Sequence, residues 1–215
     1  MHSDVLLTYG PTRGYLDAMR FISNQSTGKL GALLTVRLAQ AGFHVYVLQG
    51  KGAVRPRMGK LHKKNVTLVE VDTVSSVLRE AKRYLSRTQP RAIFHSMAVL
   101  DYEPEASRDE KIPSGMREWV VRLKPTPKVI RSLREWAPNS LLISFKLESG
   151  LSEEELLLRA IRAMKKAGSD MVVANDLTRI RGNLHPAMVL DKNGVILARP
   201  RTKKEIVTAL LEHLK

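Results

Sequence analysis

Residues 8–31, reading TYGPTRGYLDAMRFISNQSTGKLG, gather the side chains in this sequence best suited to hold an anion. Gly10-Pro11 ends the apolar run Val5-Leu6-Leu7 and forces a turn. Ser26 and Thr27 precede a helical pattern, where a hydroxyl can cap the first free N–H groups. A strand, a loop and a helix N-terminus form an anion site, because unpaired N–H groups and the helix dipole converge there. Gly28 and Gly31 remove side chains where a backbone or a phosphate must come close. Arg13, Arg20 and Lys29 add cations, so the expected ligand is phosphorylated. Neither common phosphate fingerprint is present. A P-loop needs Gly where Ser23 stands and Ser or Thr where Leu30 stands, and a dinucleotide fold needs three spaced glycines rather than Gly28 and Gly31 alone.

The elements that must position these groups alternate between strands and helices. Leu30, Leu33, Leu34, Leu38 and Ala41 form a helical stripe that stops at Gly42. Residues 44–48, 66–71, 93–99, 119–123, 141–145 and 171–174 read as further strands, the 93–99 run being apolar enough for the middle of a parallel sheet. Helices are predicted over 75–85, from about Pro127 to Trp136, and from the cap Ser152 to Gly168. Residues 188–190 and 195–197 flank Asn193-Gly194 as a hairpin, and Thr202 caps a last helix. Residues 103–117 are rich in charge, Pro, Gly and Ser, which predicts a flexible flap. The expected fold is α/β: a three-layer, doubly wound, mostly parallel Rossmann-like sheet with a C-terminal β-hairpin, one domain over residues 1–215. Ligands in such sheets sit beyond the C-terminal strand ends, so the loops following the first, fourth, sixth and seventh predicted strands should converge.

Composition narrows the class. Hydrophobic residues make up 43% of the 215, aromatic ones 5%, which suits an aliphatic globular core. No apolar run approaches the ~20 residues of a membrane span, and MHSDVLLTYG lacks the basic start of a signal peptide. The absence of cysteine excludes disulfides, thiolate metal sites and a cysteine nucleophile, in keeping with a cytoplasmic enzyme. The formal charge of +15 is the anomaly. It fits anionic small molecules, nucleic acid or an acidic membrane surface. The densest basic cluster, residues 51–64, has no aromatic side chain for a base to stack on and reads as a solvated loop.

Five blocks, in order along nearly the whole chain, resemble the phosphopantothenate–cysteine ligase (phosphopantothenoylcysteine synthetase) family, in its free-standing bacterial form. They are GPTR with RFISNQSTGKLG; Phe94 to Tyr102, FHSMAVLDY; Lys111-Ile112-Pro113-Ser114 followed by LKPTPK; SFKLE, ending at Glu148; and VANDL, beginning at Val173. The resemblance implies a ligase of coenzyme A biosynthesis, acting on 4′-phosphopantothenate, L-cysteine and a nucleoside triphosphate with Mg2+. CTP is expected ahead of ATP, with an acyl-nucleotide intermediate. It also implies a homodimer, and no nucleic-acid or membrane partner is expected.

The family's roles fall on particular residues. Asn24 matches the asparagine that holds the activated acyl group, and an amide can donate to a developing oxyanion without ionising. Arg20 matches a substrate-positioning arginine, and Lys111 the flap lysine that closes over the phosphates. After Lys111, Pro113 and Ser114 replace the further lysines of many bacterial members. The nucleotide is expected against Gly10, Ser23, Gly28, Lys29, Ala98, Asp101, Phe145, Lys146 and Asn175, with Asp101 also the metal ligand. His95 reads as a satisfied core histidine, and Met164 and Met171 as gap-fillers. Two other readings remain: an NAD(P)-binding oxidoreductase, opposed by the missing acid after residues 44–48, and a nucleic-acid module built on the 51–64 loop.

Overall fold

Burial alternates along the first strand and sets the layers. Val5, Leu7 and Tyr9 enter one apolar cluster and Leu6 another, as a pleated strand covered on both faces requires. The structure, a computed structural model, describes residues 4–113, 115 and 117–214. The N-terminal Met1, His2 and Ser3 lie outside the described residues, as does Ser114 of the flap motif.

In chain order, β1 (Asp4–Pro11) is followed by a small ribbon, β2 (Arg13–Tyr15) and β3 (Phe21–Ser23), then α1 (Lys29–Gln40) and β4 (His44–Gly50). A short α2 (Lys60–Lys63) in the basic loop precedes β5 (Val66–Val71), α3 (Val74–Leu85) and β6 (Ala92–Ala98). A second ribbon pairs β7 (Tyr102–Pro104) with β8 (Leu123–Pro125). There follow α4 (Val129–Trp136), β9 (Leu141–Glu148), α5 (Glu153–Ala167), β10 (Met171–Asp176), β11 (Ala187–Asp191), β12 (Ile196–Ala198) and α6 (Lys203–Glu212).

The main sheet runs β12-β11-β10-β9-β6-β1-β4-β5. From β10 to β5 every pairing is parallel, and β11 and β12 extend the edge antiparallel. The chain winds outward from β1 through β4 to β5, then returns to place β6 on β1's other side. That reversal between β1 and β6 is where a doubly wound sheet opens a crevice. Helices α1 and α6 cover one face through Leu34, Leu38, Ile206 and Leu210. The other face carries α3 and α4 through Val77, Ala81 and Leu133, and α5 through Leu156, Ala160 and Met164. Among the described residues no helix is long and apolar enough to cross a membrane.

Two sequence expectations change. Residues 119–122 form no strand; pairing begins at Leu123 and joins β7 instead of the main sheet, because the segment belongs to the flap. Helix α4 starts at Val129 with Lys128 as its cap residue, so Pro127 lies outside it. The predicted hairpin forms: Asp191 N bonds Val195 O across a three-residue turn in which Gly194 alone has positive φ (84°). The two ribbons were not anticipated. They pack closely: a Cβ on Gly14 of β2 would lie 2.6 Å from Pro104 Cδ of β7.

Candidate active site

The tip of β1 and the start of α1 are locked together by Tyr9. Its ring is fully buried, and a Cβ on Gly31 would fall 2.2 Å from it. Gly31 therefore makes room for Tyr9, not for a phosphate. The Tyr9 hydroxyl is shared between Gln49 Oε1 (3.0 Å) and Val54 O (3.1 Å), and burial pushes the phenol up from its ordinary pKa. Gln49 Nε2 donates to Ala53 O (2.9 Å) and Val54 N to Thr27 O (3.0 Å). The root of the basic loop is thereby clamped against α1. Gly10 (φ 86°) packs there too, since a Cβ would come within 2.7 Å of Ala53 Cβ.

Helix α1 begins on Gly28, in the left-handed region at φ 71°, with no side-chain cap and no acid in its first turn. The expected hydroxyl serves only weakly and from one residue earlier: Thr27 Oγ1 accepts a long hydrogen bond from Lys29 N, at 3.4 Å. The next N–H groups of α1 and the Lys29 side chain are thus left beside a cavity of about 230 Å3. Gly28, Lys29, Ala98, Phe145 and Asn175 all line it, so five of the expected nucleotide residues, drawn from four elements, meet at one place. Ser26, His185 and Lys203 line it as well. Ser26 stood in the sequence as a capping residue, but nothing in the sequence marked His185 or Lys203.

A second cavity, about 400 Å3, adjoins the first across Met97, Ala98, Phe145 and Leu147. Asp101, Lys128, Arg131 and Lys146 give it a basic rim. The loop that carries Asp101 is held at Leu100: its N–H donates to buried Thr12 Oγ1 (2.9 Å), and Thr126 Oγ1 donates to its carbonyl. Asn24 Nδ2 donates to Val99 O (3.0 Å), which puts the predicted acyl-binding amide on this loop. Ser23 faces elsewhere, its hydroxyl donating to Thr12 O (2.9 Å), and shapes the loop without lining either cavity.

His95 lies in the floor of the second cavity, 9% exposed, with Nδ1 2.6 Å from Thr8 Oγ1. Burial lowers its pKa from 6.5 to about 4, so it is neutral at physiological pH, as expected of a core histidine. The Asp101 carboxylate is 68% exposed and 2.5 Å from Lys128 Nζ. Among the described residues no cluster of three or more His, Asp or Glu could hold a metal by itself. A single rim carboxylate suits Mg2+, which takes one or two carboxylates with substrate phosphates and water.

Lys111 belongs to the flap, and Arg20, between β2 and β3, anchors it. Buried Asp17 takes Arg20 Nε (2.9 Å) and Nη2 (2.5 Å) and also Ile112 N (3.0 Å), and Arg20 Nη2 donates to Ile112 O (2.6 Å). The Arg20 hydrogen bond, with backbone donors, holds the Asp17 carboxyl well below the usual range. The Arg20 guanidinium also sits 4.4 Å from the Trp119 ring centre. Ile112 and Trp119 line a third cavity of about 610 Å3 under the flap, away from the two others. Exposed Lys111, next to the anchored Ile112, lines none of the three.

These features define a class: a doubly wound α/β protein with an anion-receptive crevice at its switch point. The chain belongs to the DNA/pantothenate metabolism flavoprotein C-terminal domain family, whose model matches residues 1–215. It is 32% identical over 211 residues to the coenzyme A biosynthesis bifunctional protein CoaBC of Thermococcus kodakarensis, covering 98% of this chain and 50% of that protein. The CoaBC of Methanocaldococcus jannaschii is 33% identical over 175 residues, 81% of this chain and 41% of that protein. The chain thus spans about half the length of the curated relatives it matches. Among solved structures, the DNA/pantothenate metabolism flavoprotein from Streptococcus pneumoniae superposes with a TM-score of 0.88 at 32% identity, over 99% of this chain and 98% of that one. A Cab2 variant in complex with phosphopantothenate-cysteine shares the fold, with a TM-score of 0.77 at 21% identity over 98% of this chain and 86% of that one.

Proposed function

We propose that this chain is a phosphopantothenate–cysteine ligase of coenzyme A biosynthesis, using CTP in preference to ATP. One observation carries the reading: the uncapped start of α1 with Gly28 and Lys29, the β6 residue Ala98, Phe145 of β9 and Asn175 of β10 all face one cavity, adjoining a basic second one. The family membership and the CoaBC relatives support the same chemistry.

The nucleotide would occupy the smaller cavity, its phosphates at the α1 start and its base near Phe145. Phosphopantothenate would take the basic cavity. Its carboxylate oxygen forms a bond to the α-phosphorus as the bond to pyrophosphate breaks, giving an acyl nucleotide. Cysteine's neutral amine then attacks the acyl carbon; as the C–N bond forms the nitrogen gives up a proton to solvent, and the nucleoside monophosphate leaves with the C–O electron pair. Asn24, whose Nδ2 gives one hydrogen to Val99 O, would support the acyl oxygen in both steps with the other. Arg20 would position substrate from the ribbon that anchors the flap, and Lys111 would act from the flap on the phosphates. Asp101 would hold Mg2+ together with those phosphates, the ion serving to neutralise their charge. We assign residues 1–215 to one working unit in the cytoplasm. We also assign it a homodimer, supported by the exposed apolar side chains Met19, Phe21, Tyr102, Val120 and Leu123 on and beside the two ribbons.

Pyrophosphate release with 4′-phosphopantothenate, cysteine and Mg2+ tests the proposal, with CTP and ATP compared side by side. Release is expected to require phosphopantothenate and to be faster with CTP, and Asn24→Ala should lower product formation by roughly 100-fold. Folded protein that releases no pyrophosphate with either nucleotide would overturn it.

A further inference from the structure

Asn175, His185 and Lys203 form a row along one wall of the smaller cavity. Lys203 Nζ lies 3.1 Å from His185 Nδ1, and His185 Nε2 lies 3.2 Å from the amide atom placed as Asn175 Nδ2. Lysine's ammonium can only donate, so Nδ1 must accept. A neutral imidazole has one accepting nitrogen. With Nδ1 taken by Lys203, the proton sits on Nε2, which must donate. The Asn175 group facing it is therefore the carbonyl oxygen; a half-turn about the last side-chain torsion exchanges the amide oxygen and nitrogen. Burial, and next the Lys203 charge, lower His185's pKa to about 4, which keeps the ring neutral.

We infer that Lys203 and His185 are positioning residues, which fix the buried Asn175 amide with its NH2 turned toward the bound nucleotide as a hydrogen-bond donor. The inference rests on the nucleotide occupying this cavity. Free in orientation, the amide would offer oxygen or nitrogen with similar ease. Set by the row, it offers a donor, which selects ligand atoms that accept, such as a keto oxygen or ring nitrogen of a base. The arrangement also explains an electrostatic anomaly. Lys203 is the first residue of α6, where the helix dipole disfavours a cation, and burial and the Lys29 charge lower its pKa further. Its contact with His185 gives that placement a role.

The test combines tautomer and affinity. In the 15N spectrum of the imidazole, His185 should show a protonated Nε2 and an accepting Nδ1, and Lys203→Met should erode that preference. CTP and ATP binding, measured by calorimetry, should weaken roughly tenfold in His185→Phe, which leaves Asn175 without its donor. His185→Gln, which can donate from the Nε2 position, should restore most of the affinity. A protonated Nδ1 in the wild type would overturn the inference, as would unchanged nucleotide affinity in His185→Phe. Phe145→Ala separates the two levels. If it weakens binding and His185→Phe does not, the positioning row alone fails; if neither does, the nucleotide lies elsewhere and both readings fall.

Discussion

Helices α1 and α5 begin in opposite ways. At α5, Ser152 Oγ accepts from Glu155 N, the Glu155 carboxylate returns to Ser152 N, and three glutamates occupy the first turn. Every local rule for starting a helix is met. At α1 the cap residue is Gly28, no side chain caps it, and the first helical residue is Lys29, of the wrong sign for the dipole. The helix that only has to fold is closed by its own side chains. The one bordering the cavity keeps its donors and its cation available for something else. Local departures of this kind concentrate where an external group completes the electrostatics.

The contrast extends to the sheet beneath, and acid should expose it most strongly. His95, in the floor of the crevice, titrates at 6.5 in the unfolded chain and near 4 in the folded one. Between those values the unfolded state binds more protons, so stability is complete above pH 6.5 and declines as pH falls toward 4, by about 3 kcal/mol from this residue. Denaturant melts across that range should show the loss, and His95→Gln should flatten the slope. A slope unchanged in the variant would locate the acid sensitivity elsewhere.

Charge reversal at the α1 start comes next in size. Lys29→Glu gives α1 the first-turn charge that α5 has, so the fold should gain about 0.3–1 kcal/mol in thermal melts. The KM for the nucleotide should rise by roughly tenfold, about 1.4 kcal/mol, because an anion now occupies the phosphate approach. Improved stability with an unchanged KM would break the link between the open helix start and ligand binding. The smallest effect belongs to α5. Ser152→Ala should cost about 1 kcal/mol of stability and leave the kinetic constants alone.

Much of the fold could be read from the sequence because its signals are local. The stripe over Leu30 to Ala41, the apolar 93–99 run and the Ser152 cap each depend on residues within a few turns of one another, and α1, β6 and α5 lie where those signals put them. The 119–123 run failed for a matching reason. Its apolar residues resemble a strand, but pairing was decided by β7, nearly twenty residues earlier, which took only Leu123–Pro125.

The site divides along the same line. By itself the sequence determined which segments carry glycine, cation and amide at the ends of strands, since residue type and spacing are enough to mark a turn or a helix start. That Gly28, Lys29, Ala98, Phe145 and Asn175 share one cavity was decided by the winding of β1, β6, β9 and β10 side by side. So was the role of Gly31, which serves the ring of Tyr9. His185 and Lys203 entered the wall only because the antiparallel extension brings the segments around β11 and α6 back toward Asn175. Hydrogen bonds and ion pairs reach only a few ångströms, and partners distant in sequence come that close only when the sheet sets their register.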